Sequence, residues 1–219
     1  EETNCPTGMY ITGLYVDDDY LVVIGSEYEY YCGGAEGSSE YDLGYYDYWY
    51  GYNNNVKAYV YDKHNDFSLI SEYDISGNLI GTRKIDDTLF IVTSTYIPFY
   101  NEDIDVDDYL PYYQTNGVTV TTEYESIVYI EGTAPNSYTS FYSLDLDHNQ
   151  VDMEVILGDN GYNLYVSEEN IYLAGSIYYF SPMADVFDLD DPVSETKTAI
   201  LKVEINGATL EYVNMGVVD

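Results

Sequence analysis

The feature that most narrows the folds open to this chain is a phrase that occurs three times. Leu14-Tyr-Val-Asp-Asp-Asp-Tyr-Leu-Val-Val-Ile-Gly25, Arg83-Lys-Ile-Asp-Asp-Thr-Leu-Phe-Ile-Val-Thr93 and Leu164-Tyr-Val-Ser-Glu-Glu-Asn-Ile-Tyr-Leu-Ala-Gly175 each read as strand, acidic turn, strand. Val16, Ile85 and Val166 precede the turn, and Leu21, Leu89 and Ile171 follow it, so the hairpins are expected to set apolar residues at equivalent depths. Repetition of this kind marks an architecture of like units that bury their faces on one another.

A second hairpin follows each of the three. Val56–Asp62 with Phe67–Ile75, Ser140–Leu146 with Val151–Leu157, and Ala199–Ile205 with Thr209–Val217 alternate apolar and polar residues. Their turns are His64-Asn65-Asp66, Asp147-His148-Asn149 and Asn206-Gly207-Ala208. Each repeat therefore holds four antiparallel strands, and no long apolar stripe of helical period runs between caps. The expected fold is all-β and propeller-type, a single domain over 1–219 with about three four-stranded blades at 9–76, 77–160 and 161–219. A lone blade cannot bury both faces of its sheet, which is why such units stack. Propellers close with roughly four blades or more. Three define a partial or open propeller, or a segment of a larger one, whose exposed blade edges invite self-association.

The repeats differ in length at one slot, the link between second and third strands, which spans 27–55, 96–139 and 178–198. In a stack of blades that slot opens on one rim, so the three insertions are expected to share a face, and loops on a rigid scaffold are where binding surfaces are usually built. Gly117–Gly132 alternates well enough to predict extra strand inside the second insertion.

Charge decides what such a face can meet. Six Lys and Arg against 40 Asp and Glu leave a net charge of −34, which repels nucleic acid and anionic membrane surfaces and attracts cations. A charge of this size is common in disordered chains, but 46% apolar and 17% aromatic residues supply the burial that those chains lack. Thirty of the aromatics are Tyr, whose ring packs while its hydroxyl stays hydrated. No apolar run nears the roughly 18–20 residues of a bilayer span, so membrane insertion is not expected. The opening Glu-Glu-Thr-Asn has no basic-then-apolar leader, and any secretion signal is expected to have been removed or to lie outside these residues.

The first insertion gathers Tyr45, Tyr46, Tyr48, Trp49 and Tyr50 among Gly and Asp, the mix of rigid rings and adaptable backbone that suits ligand recognition. The competing reading is that these rings only pack the insertion onto the blades. For metal, Asp103, Asp105 and Asp107 come nearest to a calcium loop, with Asp188 and Asp190 in a second acidic stretch. Asp108 at the sixth position and Gln114 at the twelfth exclude an EF-hand, leaving a looser calcium site as the cofactor expectation. The acid pairs Asp17-Asp18, Asp86-Asp87 and Glu168-Glu169 sit where carboxylates stabilise turns. Cys5 and Cys32 would both lie on the insertion rim; they form either a bridge closing about 28 residues or two separate thiols. His64 and His148 fall in turns on the opposite rim, and no nucleophile elbow, zinc-protease helix or phosphate loop is present, so no catalytic residue is assigned.

The chain resembles the secreted bacterial and archaeal proteins that carry a C-terminal β-propeller domain. The carriers are Gly13–Gly25, Val60-Tyr-Asp62, Glu72-Tyr-Asp-Ile-Ser-Gly77 running to Thr82-Arg83, Asp87–Thr93, Tyr138–Asp147, Leu157–Ser167, Thr198–Val203, Tyr212-Val213 and Gly216, in matching order and spacing. That resemblance implies a fold similar to WD-repeat propellers and an extracellular or cell-surface location, with no catalytic motif to carry over.

These readings converge on an extracellular, non-enzymatic interaction module that takes protein or glycan partners through Tyr- and acid-rich loops, with calcium neutralising the acids. The alternatives are a carboxylate-dependent glycan-active enzyme, since 40 acids guarantee close pairs, and a structural surface-layer or filament component. A saline habitat would also account for the acidity.

Overall fold

The computed structural model describes residues 7–29, 55–97, 105–130, 133, 135–158, 161–179 and 195–218. They form three sheets built on the predicted blades, antiparallel except for one two-residue edge strand. Blade 1 holds β1 (Thr7–Val16), β2 (Tyr20–Glu29), β3 (Asn55–Asp62) and β4 (Ser68–Ser76). Blade 2 holds β5 (Asn78–Ile85), β6 (Thr88–Tyr96), β10 (Ser137–Asp145) and β11 (Gln150–Leu157). Blade 3 holds β12 (Asn163–Val166), β13 (Asn170–Tyr179), β14 (Glu195–Asn206) and β15 (Thr209–Val218). The second insertion adds β7 (Tyr112–Thr115) and β8 (Val118–Thr121) outside β4, and β9 (Val128–Tyr129) parallel to the end of β11. The sheet orders are therefore β1-β2-β3-β4-β7-β8, β5-β6-β10-β11-β9 and β12-β13-β14-β15. All described helical residues lie in short 3-10 turns.

Two cores hold the blades together. Between blades 1 and 2, Val22, Ile24, Val56, Ala58, Val60, Tyr73 and Ile75 meet Leu89, Ile91, Tyr142 and Leu144. Between blades 2 and 3, Phe90, Val92, Phe141 and Ile156 meet Ile171, Leu173, Leu201 and Val203. Blade 2 is thus covered on both faces. Its burial shows this: Leu89 to Val92 of β6 and Ser137 to Leu144 of β10 are buried without a break, whereas β3 alternates buried and half-buried residues. Alternation follows from one covered face, and a continuous apolar run from two.

The first two hairpins differ by one residue, which corrects the expected equivalence of Ile85 with Val16 and Val166. Val16 pairs with Leu21 and Val166 with Ile171, but Ile85 pairs with Thr88, and Lys84 takes the place opposite Leu89. The two turns enclose equal numbers of residues, Asp17 with Tyr20 closing one as Ile85 with Thr88 closes the other, so blade 2 carries Ile85 where blade 1 has Asp17 and Lys84 where it has Val16, with Asp86 at φ 46. A shift of one residue in a strand sends every side chain to the other face. Ile85 accordingly packs toward blade 3, and Lys84 faces blade 1. The next hairpin also departs from expectation. Phe67, expected as strand, sits in the turn with Asp66 at φ values of 55 and 54.

Blade 1 passes to blade 2 through Gly77, whose φ of 96 lies in the left-handed region and whose missing Cβ would stand 2.7 Å from Thr95 Oγ1. Glycine is the residue that enters such a turn without strain.

Candidate functional site

The turns that close the hairpins gather on one rim. Asp17 Oδ1 accepts hydrogen bonds from the backbone N–H groups of Asp19 at 2.9 Å and Tyr20 at 2.6 Å, which shapes the first turn. Across the blade boundary the Lys84 ammonium lies on the Asp17 carboxylate, and Lys63 donates to the Asp17 carbonyl. Burial alone would raise the Asp17 pKa, but Lys84 and those two backbone donors outweigh it and hold the carboxyl below its ordinary value. Tyr20 donates a 2.7 Å hydrogen bond to Asp147 Oδ1, again from blade 1 to blade 2. His64 Nε2 sits 2.9 Å from Asp19 Oδ1, and His148 Nδ1 sits 2.9 Å from Asp145 Oδ2. Burial raises the Asp145 pKa less than the His148 backbone and ring lower it, so it falls, while the His148 ring is raised by the same contact. In blade 3 the turn is held by Ser167, whose Oγ accepts from Asn170 N at 3.0 Å. On this rim the Asp17 and Asp145 carboxylates shape turns, and Asp17 and Asp147 also tie blades together.

The long connections leave and rejoin the sheets at the opposite rim. The strand ends that flank them, where Glu27 pairs with Asn55, Tyr96 with Ser137 and Tyr179 with Glu195, lie at the end of each sheet away from the hairpin turns. Within the second connection Asp105 Oδ1 accepts from Asp107 N at 3.1 Å and caps a one-turn 3-10 helix, Val106–Tyr109. Tyr124 donates to the Asp107 carboxylate, and this hydrogen bond is the main reason its phenol is pushed up to about 12. Tyr109, Leu110 and Ile127 pack on Ile97, Tyr138 and Val155, so the connection has a small core of its own fused to blade 2.

The β7–β8 hairpin then crosses to blade 1. Tyr113 pairs with Ile75 and Thr115 with Tyr73. Asn55 Nδ2 donates to the Tyr112 hydroxyl at 2.9 Å, Tyr112 N donates to Ser76 Oγ at 2.9 Å, and the Tyr142 hydroxyl donates to Tyr112 O at 3.2 Å. One tyrosine therefore fastens the hairpin to both blades. Because β7 pairs with β4 only over Tyr73–Ile75, the rest of β4 runs on beside the hairpin turn and leaves a groove of about 400 Å³ on the circumference of blade 1. Leu69, Ser71, Glu72, Asp74, Gln114 and Asn116 line it. Lys57 donates to Asp74 Oδ2 at 2.6 Å on the same side.

The extra strand expected in Gly117–Gly132 is there as β8 and β9, but β7 precedes that stretch, and neither the β7–β8 hairpin nor the groove was expected. The strand alternation of Val118–Thr121 is a local signal, whereas docking onto a strand about forty residues earlier leaves no local trace.

Of the candidate ligand and metal residues, Asp105 and Asp107 are described, and their carboxylates serve the cap and Tyr124. Tyr45, Tyr46, Tyr48, Trp49, Tyr50, Asp103, Asp188, Asp190, Cys5 and Cys32 lie outside the described residues. Among the described residues no group of three or more His, Cys, Asp or Glu side chains is placed to hold a metal ion, and no helix is long and apolar enough to cross a membrane.

Four-stranded antiparallel sheets stacked face to face, with long links on one rim and tight turns on the other, define a β-propeller arc. The family model of the beta propeller domain matches residues 1–219, and the chain belongs to that family. No curated protein matches it. A β-propeller domain is in general a protein-interaction module, and this is the function class that the fold supports.

Proposed function

We propose that this β-propeller domain is an extracellular, non-enzymatic binding module that takes a protein or glycan on the rim of the long connections. The observation that carries this reading is the convergence of all three flanking strand-end pairs on that rim, opposite the hydrogen-bonded turns. There the second connection already contributes a fixed scaffold of its own. Tyr124 and Tyr129 are exposed on it, aromatic surface of the kind that stacks on sugars and packs on protein partners. The Tyr-rich stretch from Tyr45 to Tyr50 belongs to the first of the three connections and supplies further rings of the same chemistry. Calcium is the ion suited to the acidic stretches around Asp103 and Asp188, as a hard cation that oxygen donors bind.

Screening the chain against immobilised glycans and against extracellular protein preparations tests this, with a Tyr45→Ser/Tyr46→Ser/Tyr48→Ser/Trp49→Ser/Tyr50→Ser variant as control. Binding that the variant loses while keeping the wild-type far-ultraviolet spectrum supports the reading. Binding unchanged in the variant, or turnover of a bound glycan, refutes it. Melting temperature against calcium concentration tests the ion separately, and an unchanged value across millimolar calcium removes it.

A further inference from the structure

The outer strands fasten one blade to the next by different chemistry at the two joints. On β11, Val151 and Met153 pack toward blade 1 while Ile156 enters the core shared with blade 3, and strand alternation puts Asp152 and Glu154 on the Ile156 side. Glu154 pairs with Phe141 and Asp152 with Ser143, as Tyr73 pairs with Ala58 and Ser71 with Val60 in blade 1. The places are equivalent, because Phe141 and Ser143 pair with Val92 and Phe90 as Ala58 and Val60 pair with Ile24 and Val22. In blade 1 they reach the next blade through neutral groups, the Ser71 and Tyr73 hydroxyls donating to Asn149 Oδ1 at 3.0 and 2.8 Å. In blade 2 they reach it through carboxylates. Asp152 Oδ2 accepts from Leu210 N at 2.6 Å, and the Glu154 carboxylate accepts from the Tyr212 backbone N–H.

The charges that act on Glu154 among the described residues are of one sign. Asp152 stands two residues away on its own strand, and Glu211 lies between the two donor residues of β15. Strand β10 sets Phe141 and Ser143 beside them, neither of which carries charge. Tyr113 of β7 is near Asp152, and its phenol, raised by burial and then by Asp152, stays neutral. Of the cations, Arg83 shares this side of blade 2 but stands three strand spacings off, about 14 Å, beyond the screening length of about 8 Å at physiological salt. Lys202 alternates with Leu201 and Val203, which enter the shared core, and so lies on the other face of blade 3. Burial raises the Glu154 pKa, the Tyr212 N–H lowers it, and Asp152 and Glu211 raise it further, so the half-buried carboxyl titrates above its ordinary 4.5.

We infer that the outer joint between blades 2 and 3 is a proton-operated latch, in which Glu154 holds β15 firmly when protonated and loosens it when ionised beside Asp152 and Glu211. A protonated carboxyl still accepts from Tyr212 through its carbonyl oxygen, so the proton removes the repulsion and leaves the hydrogen bond. Because the folded value lies above the unfolded one, the group's contribution is complete below 4.5 and fades as pH rises through the folded value. Loosening is confined to the outer strand, since Phe141, Ile156, Ile171 and Leu201 keep the two blades in contact without charge. The joint between blades 1 and 2 has no such response at the equivalent place, where Ser71, Tyr73 and Asn149 are uncharged at these pH values. Strands β13 and β14 carry the third long connection, so the latch sets how firmly blade 3 holds that connection beside the second.

Amide exchange of the full chain between pH 7 and 4, corrected for the intrinsic pH dependence of exchange, tests the latch in the wild type and in Glu154→Gln. The substitution keeps an acceptor oxygen and removes the charge. Protection of the Leu210 and Tyr212 amides should rise several-fold in the wild type as pH falls, and should be high and nearly constant in the variant. The urea midpoint of Glu154→Gln should exceed that of the wild type at pH 7, and the two should meet near pH 4. Asp152→Asn keeps the acceptor for Leu210 N and removes one repelling charge, so the carbon resonance of the Glu154 carboxyl should titrate closer to 4.5 in that variant. Wild-type protection that is flat or falls toward pH 4 overturns the inference. So does a Glu154→Gln protein no better protected than the wild type at pH 7, or a Glu154 titration that Asp152→Asn leaves unmoved.

Discussion

Tyr20 and Asp147 are joined by a 2.7 Å hydrogen bond that runs from the first turn of blade 1 to the outer turn of blade 2. The acceptor carboxylate, then burial, push the Tyr20 phenol from its ordinary 10.0 up to about 12. Since the folded value lies above the unfolded one, the contact contributes fully below pH 10 and is lost as pH rises through about 12. Tyr20→Phe should reduce stability by about 0.5–1 kcal/mol at neutral pH, the worth of a hydrogen bond near the surface. Urea unfolding of both proteins as a function of pH checks this, and the gap between them should close on the alkaline side.

Lys84 and Asp17 set the opposite dependence. With Lys84 in place the Asp17 carboxyl titrates below its ordinary 3.8, so the pair contributes above that pH and fades as pH falls. Lys84→Met keeps the buried stem and removes the charge, leaving burial to act against the two remaining backbone donors. The Asp17 carbon resonance should then titrate at higher pH. Acid unfolding should begin at higher pH, and neutral stability should fall by about 1–2 kcal/mol.

Phe141 is fully buried between blades 2 and 3. Phe141→Ala should cost about 3–5 kcal/mol in chemical unfolding, from lost transfer energy and the cavity left behind. Val120→Ala, on the exposed strand β8, should cost about 0.5 kcal/mol or less.

Ser143 lies on β10 with its hydroxyl buried and without a hydrogen-bond partner among the described residues. Ser143→Ala removes a desolvated polar group with little change of volume and should raise the melting temperature, by the equivalent of up to about 1 kcal/mol. A fall of the same size would show that the hydroxyl is satisfied in solution.

The blades were legible in the sequence because each is a local pattern. Val22 and Ile24 alternate with half-buried neighbours, and the acidic turns Asp17–Asp19 and Glu168-Glu169 mark where the chain reverses. The middle blade was not legible in this way, because Leu21-Val-Val-Ile24 of blade 1 is as apolar as Leu89-Phe-Ile-Val92 of blade 2, although Leu21 and Val23 are only half-buried. What escaped were consequences of a single residue or of distant pairing. An apolar residue one position nearer the turn puts Ile85 on the far side of its sheet and leaves Lys84 to reach Asp17. The attachment of Tyr112 to Asn55, Ser76 and Tyr142 joins segments whose patterns say only that each is a strand. The groove beside β4 exists only because that attachment is short.

Blade 2 is enclosed by its neighbours, and native-state hydrogen exchange read peptide by peptide tests this most directly. Amides of β6 and β10 should exchange most slowly, near the rate set by global unfolding, with β1 and β8 exchanging orders of magnitude faster. Equal protection of β1 and β10, or early loss of β10, would contradict the stacking of three blades.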